Sequence, residues 1–227
     1  MKTIFHGACE PIKKLRLLQS VFWKYSPCKT TPTIILAGGA VRDDYMGKAD
    51  EISDFDIFIE SWYDGKNIND QDKQMIEIID QVFPNQTDVT HLFDSAYLSL
   101  EEQHDAANDV NPGKNKHISD VWEVMYGDNT YQLILTKLNP IQYVNKYFDL
   151  GFCKTYCDGY KIRYTDDFLH DAKHRQLTIV GDDMTSDQID YTINYHCDKI
   201  QWKYGDWTVV VPPRYQKYVP SGTFPTS

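Results

Sequence analysis

Two adjacent glycines, Gly38 and Gly39, stand between an apolar run of strand length at residues 33–37 and a short helical stretch at residues 40–46. No other feature constrains the fold of this chain as much. Without Cβ atoms, such a pair turns the backbone sharply and lets it pass close to another group. Gly47 can stop the short helix. Residues 53–60 then alternate, with Phe55, Ile57 and Ile59 on one strand face and Asp54, Asp56 and Phe58 on the other. A strand, a glycine turn, a helix and a second strand in that order call for a sheet with helices packed on it.

The rest of the chain supplies the other layers. Ile12, Leu15, Leu18, Phe22 and Tyr25 recur at helical spacing, which predicts an amphipathic helix over residues 11–25 with Lys13, Lys14 and Arg16 on its opposite side. Pro27 and Pro32 lie beyond that helix, and residues 69–83 form a second one followed by Pro84. Strands are expected at 91–100, 120–126 and 130–137, the last two joined by a turn at Gly127-Asp128-Asn129. The polar stretch 101–116 reads as a mobile loop. Asn139 caps a helix over residues 140–148 with Pro140 in the first position. A hairpin follows at 152–156 and 160–164 around Asp158-Gly159, and a short helix starts at Thr165. Thr185 and Gln188 fit a capping box opening a helix to about Tyr204. The expected architecture is α+β: a mixed, mostly antiparallel sheet of five or six strands flanked by helices. Residues 1–164 would form that domain, and 165–227 a small helical C-terminal extension packed on it.

Charge narrows the function classes. The 227 residues carry a net charge of −10, distributed as +5 over residues 1–49, −14 over 50–149 and −1 over 150–227. Wrapping a long nucleic-acid tract needs a basic stripe, which this balance does not provide. The basic first quarter could still hold a triphosphate or a strand end. No run of eighteen apolar residues is present and the N-terminus has no signal-peptide core, so a cytoplasmic protein without a membrane partner is expected. Five cysteines (Cys9, Cys28, Cys153, Cys157, Cys197) with no CxxC pair read as free thiols, with Cys153 and Cys157 on one strand face.

The chemistry lies in the segment around Gly38 and Gly39. The turn lets backbone N–H groups approach phosphate oxygens, and the helix N-terminus adds its dipole. Asp54 and Asp56, two apart on a strand, project both carboxylates from one face, where they can ligate one or two Mg²⁺ (or Mn²⁺) ions shared with substrate phosphates. Each half is weak alone; fifteen residues apart and in this order they are specific.

The stretch Gly38-Gly39-Ala40-Val41-Arg42-Asp43 with Asp54-Phe55-Asp56 resembles the polymerase-β-like nucleotidyltransferases, above all the head domain of CCA-adding enzymes and bacterial poly(A) polymerases. The resemblance covers residues 33–60. Tyr131–Leu135 and Phe148–Cys153 look more loosely like the small stand-alone nucleotidyltransferases of phages and large viruses, which would place the chain in a host cytoplasm. Residues 61–227 show no match to the neck and body region of the CCA-adding kind, so none is expected in them. The resemblance implies in-line attack of a hydroxyl on the α-phosphate of an NTP, with release of pyrophosphate. It implies Asp54 and Asp56 as metal ligands, Gly38 and Gly39 as phosphate cradle, and Arg42 and Lys48 as charged helpers. For Arg42 an ion pair with Asp43 or Asp54 is an equal alternative. The family's third carboxylate would fall near Gln132, which cannot do that work; Asp149 is the first candidate for it and Glu123 the second. The acceptor could be an RNA 3′ end, a nucleotide or a protein side chain.

Rival features are weaker. His170 and His174, four apart on a helix, more often make a polar face than a metal site. Trp202, Tyr204 and Trp207 could stack bases, but such residues more often pack a helix on a sheet. Three readings stay open: an active nucleotidyltransferase, a catalytically silent nucleotide-binding or structural module with the same fold, and a toxin or defence protein that modifies a host tRNA or protein.

Overall fold

The computed structural model describes residues 9–25, 32–61, 68–94 and 117–218. Helix α1 (Glu10–Tyr25) leads to β1 (Ile34–Ala37), α2 (Gly39–Tyr45), β2 (Asp54–Glu60) and α3 (Ile68–Val82). Then come β3 (Asp88–Asp94), β4 (Ile118–Tyr126), β5 (Asn129–Thr136) and α4 (Pro140–Tyr147). The chain continues through β6 (Thr155–Cys157), β7 (Ile162–Tyr164), α5 (Asp166–His174) and β8 (Gln176–Thr178). It closes with α6 (Ser186–Tyr191), a π-helical stretch (Thr192–Cys197), α7 (Asp198–Tyr204) and β9 (Thr208–Val210).

Among the described residues, seven strands form one sheet in the order β3-β4-β5-β2-β1-β6-β7, and β8 and β9 pair separately. The large sheet is antiparallel except where β2 and β5 run parallel, with Asp56 opposite Gln132 and Phe58 opposite Ile134. The alternation of β2 sorts its side chains as period two demands. Phe55, Ile57 and Ile59 join Leu15, Leu18 and Phe22 of α1 and Met75, Ile79 and Val82 of α3 in the main core. Phe58 turns to the other face, where Ile35 and Ile134 pack beneath Tyr143, Val144 and Phe148. Helix α4 covers only part of that second face. A third cluster, from Leu150 and Phe152 through Leu177, Ile179, Ile193 and Trp207, builds the C-terminal unit beside it.

Several expectations need correction. Among the described residues the large sheet has seven strands, not five or six, and the C-terminal part carries the parallel β8–β9 pair besides its helices. Residues 151–153 form a 3-10 turn instead of a strand, so Cys153 and Cys157 do not share a strand face. Gly151 lets this turn lie tight against α5, since a Cβ there would sit 2.6 Å from Asp171 Oδ2. Strand β3 begins at Asp88, before His91; residues 95–116, including the expected loop, lie outside the described residues, as does Cys28. Lys14 is not on the solvent face of α1 but 5% exposed. Its ammonium donates to Val82 O at 2.7 Å, capping the C-terminus of α3, and lies 3.8 Å from the Tyr126 ring centre. Arg16 Nε likewise donates to Gly159 O at 2.7 Å. Part of the basic charge of the first quarter thus holds the fold together. Among the described residues, no helix is long and apolar enough to cross a membrane.

Candidate functional site

Strand β1 ends at Ala37, and the chain reverses at Gly38 with φ +78°, a conformation L side chains rarely adopt. The Gly38 amide donates to Thr155 O on the neighbouring β6 at 3.1 Å, which fixes the turn to the sheet. A Cβ at Gly38 would lie 3.5 Å from Phe148 Cε2 and 3.8 Å from Asp56 Oδ2. Glycine therefore keeps open a space bounded by the turn, an aromatic ring and a carboxylate.

That space belongs to a cleft of about 220 Å³. Gly38, Gly39 and Arg42 form one edge, and Asp56, Phe58, Gln132 and Ile134 of β2 and β5 form its floor. Phe148, Asp149 and Cys153 close the side beyond α4, and His196, Lys199 and Ile200 form the far wall. Five residues selected from the sequence, Gly38, Gly39, Arg42, Asp56 and Asp149, meet here. Asp54 does not line the cleft; it stands at the exposed start of β2 on the same strand face as Asp56. Lys48 is also outside, its ammonium 3.1 Å from Glu51 and 5.4 Å from the Tyr204 ring centre.

The position beside Asp56 on β5 is Gln132, as the sequence reading anticipated. Its amide donates to Glu123 Oε2 at 3.2 Å across the β4–β5 ladder. Glu123 is thus one strand further from Asp56 than Gln132. Asp149, the first candidate, reaches the cleft with its carboxylate already engaged. Oδ1 accepts from the Leu150 amide at 3.0 Å, and Oδ2 accepts from Thr192 Oγ1 at 3.0 Å and contacts His196 Nδ1. Its carbonyl accepts from the Val180 amide at 2.7 Å. Asp149 is therefore both a wall of the cleft and a tie between the end of α4 and the helical stretch at Thr192–Cys197.

Arg42 pairs with Asp43 Oδ1 at 2.7 Å, the ion-pair alternative. Asp43, 6% exposed, also takes Lys203 Nζ and Tyr204 OH at 2.5 Å each. Burial opposes the charge on this carboxyl, but Arg42, Lys203 and Tyr204 outweigh it and hold Asp43 below the usual carboxylate range. Burial likewise opposes the Arg42 charge, which Cys153 and Asp43 restore, so the guanidinium stays firmly protonated at the cleft edge.

Sequence reading missed His196, Lys199 and Lys203. They lie on a helix recognised only by its capping box, with Thr185 Oγ1 accepting from the Gln188 amide and Gln188 Oε1 from the Thr185 amide. The helix passes through a π stretch at Thr192–Cys197, which resets which side chains face the cleft. No residue spacing reported this. Of the rivals, His170 and His174 bond locally, His174 Nδ1 to His170 O at 2.9 Å and His170 Nε2 to Gln176 Oε1 at 3.2 Å. Trp207 is buried and Tyr204 packs on Phe152, while Trp202 is 90% exposed.

No protein-family model matches the sequence, and no curated protein does. Solved structures share the fold. A CCA-adding enzyme in complex with CTP superposes with a TM-score of 0.54 at 12% identity, over 90% of this chain and 40% of that one. A tRNA-processing enzyme in an apo form gives 0.50 at 10% identity, over 86% and 42%. The chain spans about two fifths of the length of each. It is similar to both in fold, with a mixed, mostly antiparallel sheet flanked by helices.

Proposed function

We propose that this chain is a metal-dependent nucleotidyltransferase that moves an NMP from an NTP to a hydroxyl acceptor and releases pyrophosphate. The observation that carries this reading is the convergence of Gly38, Gly39, Arg42, Asp56 and Asp149 on one cleft. The fold shared with a CTP-bound CCA-adding enzyme supports it. The donor set fits Mg²⁺ or Mn²⁺: Asp54 and Asp56 offer hard carboxylate oxygens from one face of β2, and the missing Cβ at Gly38 leaves room beside Asp56 Oδ2. A dication held there would offset the charge developing on the α-phosphate.

The chain's own residues divide the remaining work. The Gly38–Gly39 turn admits the β- and γ-phosphates, and the Arg42 guanidinium and Lys199 ammonium supply positive charge at the cleft. Lys48 joins them once it exchanges Glu51 for phosphate, a small cost for an exposed pair. Asp149, or Glu123 behind Gln132, would supply the third carboxylate. The acceptor class is an RNA 3′ end, a nucleotide or a protein hydroxyl, and CTP is the first donor to try because the similar structure holds it.

One observation favours a second reading. Gln132 beside Asp56, and an Asp149 carboxylate engaged by Thr192 and His196, would suit a module that binds nucleotide without turning it over. Transfer of label from each α-labelled NTP separates the two. With Mg²⁺ or Mn²⁺ and RNA, extract protein or no acceptor, label appearing in one fraction and lost in Asp54→Ala/Asp56→Ala establishes the transferase. NTP binding without transfer under every condition establishes the silent module.

A further inference from the structure

On the sheet face opposite the cleft, where α3 begins, three side chains from three elements converge. A carboxylate oxygen of Asp72 on α3, a ring nitrogen of His91 on β3 and a carboxylate oxygen of Asp120 on β4 all lie within 4.8 Å of one another. Two of the three are held in place by neighbours. Asp120 is 6% exposed; its Oδ2 accepts from the Trp122 indole N–H at 3.0 Å, and its Oδ1 lies 2.5 Å from His91 Nε2. The His91 ring lies flat on the Trp122 indole, ring centres 3.9 Å apart and planes within 9°. Trp122 thus orients both donors, as outer-shell partners do around metal ligands.

A histidine–aspartate ion pair would use only His91 and Asp120, whereas Asp72, half-buried, brings a third donor to the same point. Two carboxylates around one imidazole carry more negative charge than an imidazolium can offset, whereas a dication balances them with the imidazole neutral. We propose that Asp72, His91 and Asp120 bind a first-row transition-metal dication, with Zn²⁺ as the reference ion. The imidazole nitrogen selects this class over Mg²⁺ and Ca²⁺, which prefer all-oxygen shells. At ligand distances of ~2.0–2.2 Å, adjacent donors stand about 3 Å apart, so the ion parts His91 from Asp120 slightly and draws Asp72 inward. Water completes the shell. The bound ion pins the start of α3 to the β3–β4 edge, independently of any nucleotide chemistry.

The test uses the full chain carrying Asp54→Ala/Asp56→Ala, so that metal at the cleft does not count. After chelator treatment, loading with Zn²⁺ and gel filtration, one equivalent of zinc is expected to stay with the protein and raise its thermal midpoint. Mg²⁺ at the same concentration should give no such rise. Adding His91→Ala should abolish retention. Adding Asp72→Asn, at a half-buried position, should weaken it at least tenfold with an unchanged circular dichroism spectrum, so the test survives if the His91 variant does not fold. Cobalt substitution should give a spectrum without a thiolate charge-transfer band. Failure to retain zinc, retention undiminished by Asp72→Asn, or a thiolate band from a cysteine site would each overturn the proposal.

Discussion

The two walls of the cleft are built in different ways. One wall is local: Gly38, Gly39, Arg42 and Asp56 lie within nineteen residues of one another, on a strand–turn–helix–strand unit whose geometry follows from short-range rules. The other wall is assembled at long range. Asp149 after α4 meets His196, and Lys199 follows one turn later on a helix that reaches the sheet only through tertiary contacts. The knot of Asp43 with Arg42, Lys203 and Tyr204 fastens the two walls together. A local unit can be preorganised by its own sequence, whereas an assembled wall depends on the partners that hold it.

Perturbing each wall separately sharpens this contrast. The largest effect is expected for Asp54→Ala/Asp56→Ala, which should lower label transfer more than ~100-fold, with urea denaturation nearly unchanged, because Asp54 is exposed and Asp56 only half-buried. Next comes the knot between the walls. Asp43→Asn leaves Arg42 and Lys203 facing one another without their shared anion, at a cost of about 3 kcal/mol by urea unfolding.

The sign of the pH dependence follows. The folded Asp43 carboxyl titrates below its unfolded value, so its contribution is complete above the ordinary carboxylate range and is lost as pH falls through the folded value. The acid limb of the stability profile should therefore be shallower in Asp43→Asn. Gly38→Ala forces an L side chain to φ +78° and fills the space beside Asp56, costing about 1–2 kcal/mol and weakening NTP binding in a titration. The smallest change is Lys48→Ala, which removes a partly exposed pair with Glu51 and should shift stability by less than ~0.5 kcal/mol. A weaker NTP affinity in that variant would bring Lys48 to the phosphates; an unchanged one would leave it on the surface.

Much of the architecture was legible because local periodicity and punctuation decided it. The alternation of Asp54 to Glu60, the capping by Asn139 and Thr185, and the glycine turn all acted through neighbours a few residues away, and the structure has them in place. The errors fell where distant packing overrode local pattern. Lys14 reads as a solvent-facing lysine on a helical wheel, yet the carbonyl of Val82 and the ring of Tyr126 draw it inward. Residues 152–153 have strand composition, yet they form a 3-10 turn that packs closely on Asp171 of α5 through Gly151. His196 carried no signal, because a lone histidine in a helix acquires meaning only from the aspartate it meets forty-seven residues away.

By itself, then, the sequence determined the sheet-and-helix class, the glycine turn and the carboxylate-bearing face of β2. These rest on backbone sterics and the period-two geometry of a strand, which act over a few residues. Only the tertiary structure decided which charges were available. Burial and ion pairing committed Lys14, Arg42 and Asp149 to particular partners, placed Gln132 beside Asp56, and brought Asp72, His91 and Asp120 together across three elements. The free energy of a charged side chain depends on everything packed around it, and that environment is a property of the folded chain.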